Sequence, residues 1–139
     1  MALEKAGKCR WYDGIMESLT KLRDDGCTLV ILSNCRTHHA KGHWEAFDMG
    51  RWFSEFYDCQ SFGYAPKTEI IKTVMAQQPG PYVMVGDRRA DRDCAQAGHM
   101  PFIGCGYGYG TPGELDGADI IINSGWELAD AAEKLLENA

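Results

Sequence analysis

A three-layer α/β fold, a parallel sheet with helices over both faces, is predicted by two features of the sequence. Short unbroken apolar runs such as "TLVIL" (28–32) and "PYVMV" (81–85) read as strands buried on both sides. Between them lie segments with apolar residues at helical spacing, the alternation that builds a parallel sheet. The length of 139 residues suits a single domain over 1–139, large enough to bury roughly two-thirds of its unfolded surface.

The elements follow in order. Residues 13–25 place Ile15, Leu19 and Leu22 on one stripe, with Asp13 as cap and Gly26 as stop. "TLVIL" is the first buried strand. Residues 38–50 give Ala40, Trp44 and Phe47 at helical spacing, and "FYDCQSF" (56–62) reads as a strand. From Pro66 to about Gln77, a helix started by proline carries Ile70, Ile71, Val74 and Met75 on its apolar face. "PYVMV" is the next buried strand, and 90–97 a short helix ended by Gly98. "PFIG" (101–104) and "ADIII" (118–122) are further strands, and "GWELADAAEKLLEN" is a closing helix with Trp126, Leu128, Leu135 and Leu136.

Composition narrows the function classes. Hydrophobic residues at 45% and charged residues at 24% are ordinary for a globular protein. A net charge of −6 argues against general nucleic-acid or anionic-membrane binding, both of which need basic surfaces. No apolar run approaches a membrane span, and "MALEKAGKCR" lacks the apolar region of a signal peptide, so the cytoplasm is the expected compartment. Cysteines 9, 27, 35, 59, 94 and 105 are spread singly without C-x-x-C, and read as small buried hydrophobes rather than metal ligands. Cys35 with His38 and His39 is too loose a grouping for zinc.

In a parallel α/β sheet, ligands bind beyond the carboxyl ends of the strands. Those ends carry Ser33-Asn34, Gly86-Asp87 and the glycine-rich "GCGYGYGTPG". In "LVILSN", a hydroxyl beside the amides of the following turn can hold a phosphate oxygen; the alternative is a Ser-Asn turn or cap. Lys67 in "GYAPKTEII" opens a helix, where a cation opposes the helix dipole unless something anionic lies near; the alternative is a solvated lysine. In "YVMVGDRRADRDCAQAG", Asp87 at a strand tip and Asp91 one turn later set two carboxylates on one side, which suits a hard cation such as Mg²⁺. Here the alternative is a capping Asp87 with Asp91 as surface charge. Arg88, Arg89 and Arg92 read as solvated or paired with these acids.

Together, in this order and spacing, Ser33 in "ILSN", Lys67 in "APKTEII", and Asp87 and Asp91 in "VGDRRADRDCAQAG" resemble motifs II, III and IV of the haloacid dehalogenase-like (HAD) hydrolases. "GCGYGYGTPGEL" and "ADIIINSGWEL" resemble the tail of the phosphoglycolate-phosphatase-like branch, so the likeness runs from about Tyr12 to the end. It implies a Rossmann-like (HAD-like) core and Mg²⁺-dependent hydrolysis of a small phosphorylated metabolite through an aspartyl-phosphate. Ser33 and the Asn34 amide would hold the phosphoryl group, and Lys67 would balance charge. Asp87 would ligate Mg²⁺; Asp91 would act through the metal's waters or orient Lys67. Such pre-placed charges dominate phosphoryl transfer.

The family's nucleophile is an Asp-x-Asp at the tip of its first, central strand. The only Asp-x-Asp here is Asp91-Arg92-Asp93, inside a helix, where residues two apart do not face one another. Asp13 and Asp116 lack both a partner acid and an apolar strand. The chain therefore reads as the C-terminal portion of a family member, without nucleophile or cap, and as inactive alone. The alternatives are a non-catalytic phosphate- and Mg²⁺-binding or interaction module, and a half-enzyme completed in trans. A receiver-like domain is disfavoured because "TLVILSN" carries no aspartate. Without the central strand, those ending at Ser33 and Asp87 would stand about 10 Å apart or pair directly near 4.8 Å. Because unpaired ladder groups are costly, the sheet is expected to close up or the gap to be filled by another chain. A homodimer covering exposed strand edges would serve the same need.

Overall fold

The computed structural model describes residues 14–33, 36–78, 80–106 and 117–137. Among these residues the α-helices and strands follow in the order α1 (Ile15–Asp24), β1 (Leu29–Ser33), α2 (Thr37–Ala46), β2 (Phe53–Asp58), α3 (Lys67–Gln77), β3 (Met84–Gly86), α4 (Arg89–Ala97), β4 (Phe102–Cys105), β5 (Ile120–Ile122) and α5 (Leu128–Glu137). All three strand pairings are parallel: β1 with β2, β3 with β4, and β4 with β5. The mixed α/β architecture with helices flanking parallel strands is the one expected.

Period-two alternation divides the strand side chains between two apolar layers, which is why each run is apolar throughout. Ile31 and Ile103 point into a layer with Ile15, Leu19 and Leu22 of α1 and Leu128 of α5. Their neighbours Leu32 and Phe102 point the other way, against Ile70, Ile71 and Val74 of α3 and Cys94 of α4. Cys59, Cys94 and Cys105 are buried free thiols and Cys27 is half-buried, the role expected of them; Cys9 and Cys35 lie outside the described residues.

Element boundaries shift where polar residues compete for the backbone. The second strand runs from Phe53 to Asp58 rather than over 56–62, because Gln60–Phe62 turn into a 3₁₀ segment. β3 keeps only Met84 and Val85 of the expected 81–85 and extends one residue beyond it, to Gly86. The closing helix is preceded by a 3₁₀ turn at Gly125–Glu127, where Ser124 and Glu127 form a reciprocal capping box. Gly14 rather than Asp13 precedes α1; Asp13 lies outside the described residues.

Of the two outcomes expected for the gap, closure or filling by another chain, the first does not occur. The sheet does not close up: among the described residues the strands form a two-stranded sheet, β1-β2, and a three-stranded sheet, β3-β4-β5. β1 and β3 instead face each other across an apolar cleft of about 460 Å³ lined by Leu29, Val30, Leu32, Val83, Met84 and Val85, with α3 and α5 over its two faces. The apolar layers explain why direct pairing loses. Both layers take side chains from both sheets, so their packing fixes the separation of β1 and β3. No helix among the described residues is long and apolar enough to cross a membrane.

Ile103, fully buried on the middle strand of the larger sheet, sets the scale of this packing. Ile103→Ala is expected to cost about 2–5 kcal/mol, measured as a fall in the urea unfolding midpoint.

Candidate functional site

The polar residues buried in the core gather at strand tips and helix starts. Ser33 ends β1 and is buried at 2% exposure, so it is not a solvated turn residue. Its ladder partner is Asp58, the last residue of β2. The Asp58 carboxylate accepts hydrogen bonds from the Thr37 hydroxyl (2.7 Å), the Ser61 amide (3.0 Å) and the Ser61 hydroxyl (2.8 Å). Burial alone would raise its pKa, but these donors outweigh it and hold the carboxyl below its ordinary 3.8. Asp58 thereby ties the start of α2 to the turn that leaves β2. The sequence reading passed over it because a strand drawn to residue 62 left it in mid-strand; ended at its true boundary, the strand-tip rule picks it out.

On the other sheet, β3 ends at Gly86 and delivers Asp87, which is fully buried. Lys67 is the first residue of α3 and is likewise buried. Its Nζ donates to Asp91 Oδ1 at 2.8 Å, with the two side chains 8% and 2% exposed. Asp91 Oδ2 accepts the Asp87 amide at 3.3 Å. The dipole conflict of a lysine at a helix start is therefore answered by a buried carboxylate, and the solvated-lysine and surface-aspartate alternatives are excluded. A Cβ on Gly86 would collide with the Asp91 carboxylate, so only glycine lets strand and helix approach this closely. Behind the pair, the Cys94 thiol donates to the Lys67 carbonyl at 3.6 Å. Burial pushes this thiol up to about 12, keeping it neutral.

Lys67, Asp87 and Asp91 are thus one cluster, and Ser33 stands at the carboxyl end of β1, across the cleft from β3. Asn34 and the glycine-rich stretch 107–116 lie outside the described residues. Arg88 and Arg89 are exposed, and Arg92 pairs with Asp93 at 3.4 Å. For a hard cation the cluster's carboxylates are those of Asp87 and Asp91. Both Asp91 oxygens are engaged, by an ammonium and an amide, and the buried Asp87 follows the strand tip. Mg²⁺ binds through one or two carboxylates plus waters and phosphate oxygens, so these residues fit it.

A parallel α/β core with phosphate-type donors and acids at strand ends defines a class, and sequence comparison supplies the family. The chain belongs to the haloacid dehalogenase-like hydrolases, whose family model matches residues 2–105. It is similar to the phosphoglycolate phosphatase of Haemophilus influenzae, at 26% identity over 117 residues, covering 72% of this chain and 46% of that protein. A phosphoglycolate phosphatase of Mesorhizobium japonicum matches at 28% identity, covering 74% and 47%. The chain spans about half the length of these curated relatives. Among solved structures, a "predicted phosphatase" from Clostridium acetobutylicum superposes with a TM-score of 0.81 at 31% identity, covering 91% of this chain and 61% of that one. The fold is also that of a phosphoglycolate phosphatase structure from Haemophilus somnus, with a TM-score of 0.79 at 24% identity, covering 88% and 57%.

The ion pair can be tested by removing each partner. Lys67→Met and Asp91→Leu should each destabilise by about 3–5 kcal/mol in urea unfolding, because each strands a buried charge. The double variant should recover much of that loss.

A second test concerns pH. The folded-state pKa of Asp58 lies below its unfolded value, so its contribution is present above the ordinary value of 3.8 and fades as pH falls through that range. Between about pH 5 and about pH 3, the wild-type melting temperature should therefore drop further than that of Asp58→Asn.

Proposed function

We propose that this chain carries the phosphate- and metal-binding half of a site for Mg²⁺-dependent phosphate-ester hydrolysis. The observation that carries this reading is the buried Lys67–Asp91 ion pair bonded to the backbone of the strand-tip Asp87. Burying two ions has a desolvation cost that apolar residues of similar size would avoid. A buried ammonium held beside an acidic strand tip is what an anionic, metal-assisted reaction uses.

In this reading Ser33, with the Asn34 amide, holds phosphate oxygens. Lys67 offsets the negative charge of phosphate and carboxylates, and Asp91 orients that ammonium with one oxygen while bracing the Asp87 backbone with the other. Asp87 holds Mg²⁺, which when bound supplies Lewis-acid stabilisation of charge on the phosphoryl oxygens. The ligand class is a small phosphorylated metabolite, as for the phosphoglycolate phosphatases the chain is similar to. Its sole Asp-x-Asp, Asp91-Arg92-Asp93, lies within α4 with Asp91 already committed to Lys67. In this reading these 139 residues bind phosphate and metal with no strand-tip Asp-x-Asp to attack phosphorus.

Titration calorimetry with MgCl₂ and inorganic phosphate, beside a colorimetric phosphatase assay, tests the proposal. Binding of both ligands is expected, with Asp87→Asn weakening Mg²⁺ by more than about tenfold, or about 1.4 kcal/mol. Hydrolysis of 4-nitrophenyl phosphate should stay at background. Indifference of Mg²⁺ binding to Asp87→Asn would remove the metal assignment, and turnover by the isolated chain would remove the binding-only reading.

A further inference from the structure

Between Asp58 and Lys67 the chain makes a tight connection that packing alone does not explain. The Cys59 carbonyl accepts from the Phe62 amide (3.1 Å) and the Tyr64 amide (2.8 Å), and the Gln60 carbonyl accepts from the Gly63 amide (3.1 Å). The Ala65 amide donates to the Phe62 carbonyl at 3.3 Å. Asp58 anchors the near end through Ser61, and the Thr37 amide donates to the Gln60 side chain at 3.0 Å. The loop is therefore held in one shape.

That shape places two successive residues in the left-handed region, Gly63 at φ 65° and Tyr64 at φ 62°. Glycine accepts this freely, whereas a bulky aromatic residue does so at a cost. Burial does not offset the cost, because Tyr64 is 60% exposed. The neighbouring aromatic residue behaves differently: Phe62 turns inward, 6.2 Å from the Tyr57 ring. An exposed aromatic side chain on a strained backbone, in a loop pinned at both ends, has the character of a residue kept for contact with a ligand. Tyr64 lies three residues before Lys67, at the exit of the strand paired to β1. The connection it belongs to joins Asp58, the ladder partner of Ser33, to Lys67 at the start of α3.

We infer that Tyr64 is a specificity-determining residue that packs its ring against the organic part of the phosphorylated ligand, favouring phosphate esters with a flat, apolar group. This inference rests on the phosphate site proposed above. An aromatic ring fits because a stacked partner gains from both contact area and ring electrostatics, while the fixed loop leaves little ordering entropy to lose on binding.

Calorimetry with three probes, inorganic phosphate, methylphosphonate and phenylphosphonate, separates ring recognition from phosphate recognition in MgCl₂. Wild-type protein is expected to bind phenylphosphonate about 3- to 10-fold more tightly than methylphosphonate. Tyr64→Ala should abolish that preference and Tyr64→Phe should keep it, with inorganic phosphate unaffected by either. Tyr64→Gly should melt no lower than wild type, since glycine relieves the backbone. Equal binding of the two phosphonates by wild type, or a marked loss of melting temperature in Tyr64→Gly, would overturn the inference while leaving the phosphate site intact. Absence of binding to all three probes would overturn both.

Discussion

The buried ion pair between Lys67 and Asp91 is the constraint on which the rest of this rim depends. It joins the first residue of α3 to the first turn of α4, and through Asp91 Oδ2 it reaches the backbone where β3 ends. Two ions out of water are tolerable only when their hydrogen-bonding capacity is met by well-placed partners. Here the ammonium meets a carboxylate oxygen at 2.8 Å and the second oxygen meets an amide. Gly86 is part of the same arrangement, since any larger residue would push the carboxylate out of position. The same contacts keep two helices and a strand in register.

Below that polar rim the body of the protein is two apolar layers sandwiching the strands. Strands β1 to β4 contribute to both layers and β5 to the first alone, and the helices α1 and α5 on one side and α3 and α4 on the other complete them. This explains how a sheet in two pieces still holds together. The helices span both pieces, so side-chain packing does across the cleft what a hydrogen-bonded ladder does elsewhere. Cys94 and Cys105 take part as packing atoms, and burial keeps the Cys94 thiol neutral.

Much of this was legible in the sequence because its signals were local. Unbroken apolar runs gave the strands, Pro66 and Gly98 marked helix ends, and Ser33, Lys67, Asp87 and Asp91 stood out by their place after or before such elements. What escaped was settled by competition over distance. Asp58 was hidden because Ser61 and Thr37, three and twenty-one residues away, draw its carboxylate out of a strand pattern that continues through Phe62. The split sheet is a second case. Unpaired backbone argued for closure or for a second chain in the gap; closure does not occur because the shape of the two helical layers sets the distance between β1 and β3. Tyr64 gave no sign at all, since its interest lies in a backbone angle that no periodicity encodes.

The cleft has a consequence for how the molecule comes apart. With no ladder between them among the described residues, the β1-β2 and β3-β4-β5 sheets are coupled only through overlying side chains. Coupling of that kind weakens as soon as a helix frays, so the two sheets need not open together. Amide protons of β1 and β2 are then free to exchange with solvent on a schedule separate from those of β4, giving a small domain two local stabilities instead of a single cooperative one.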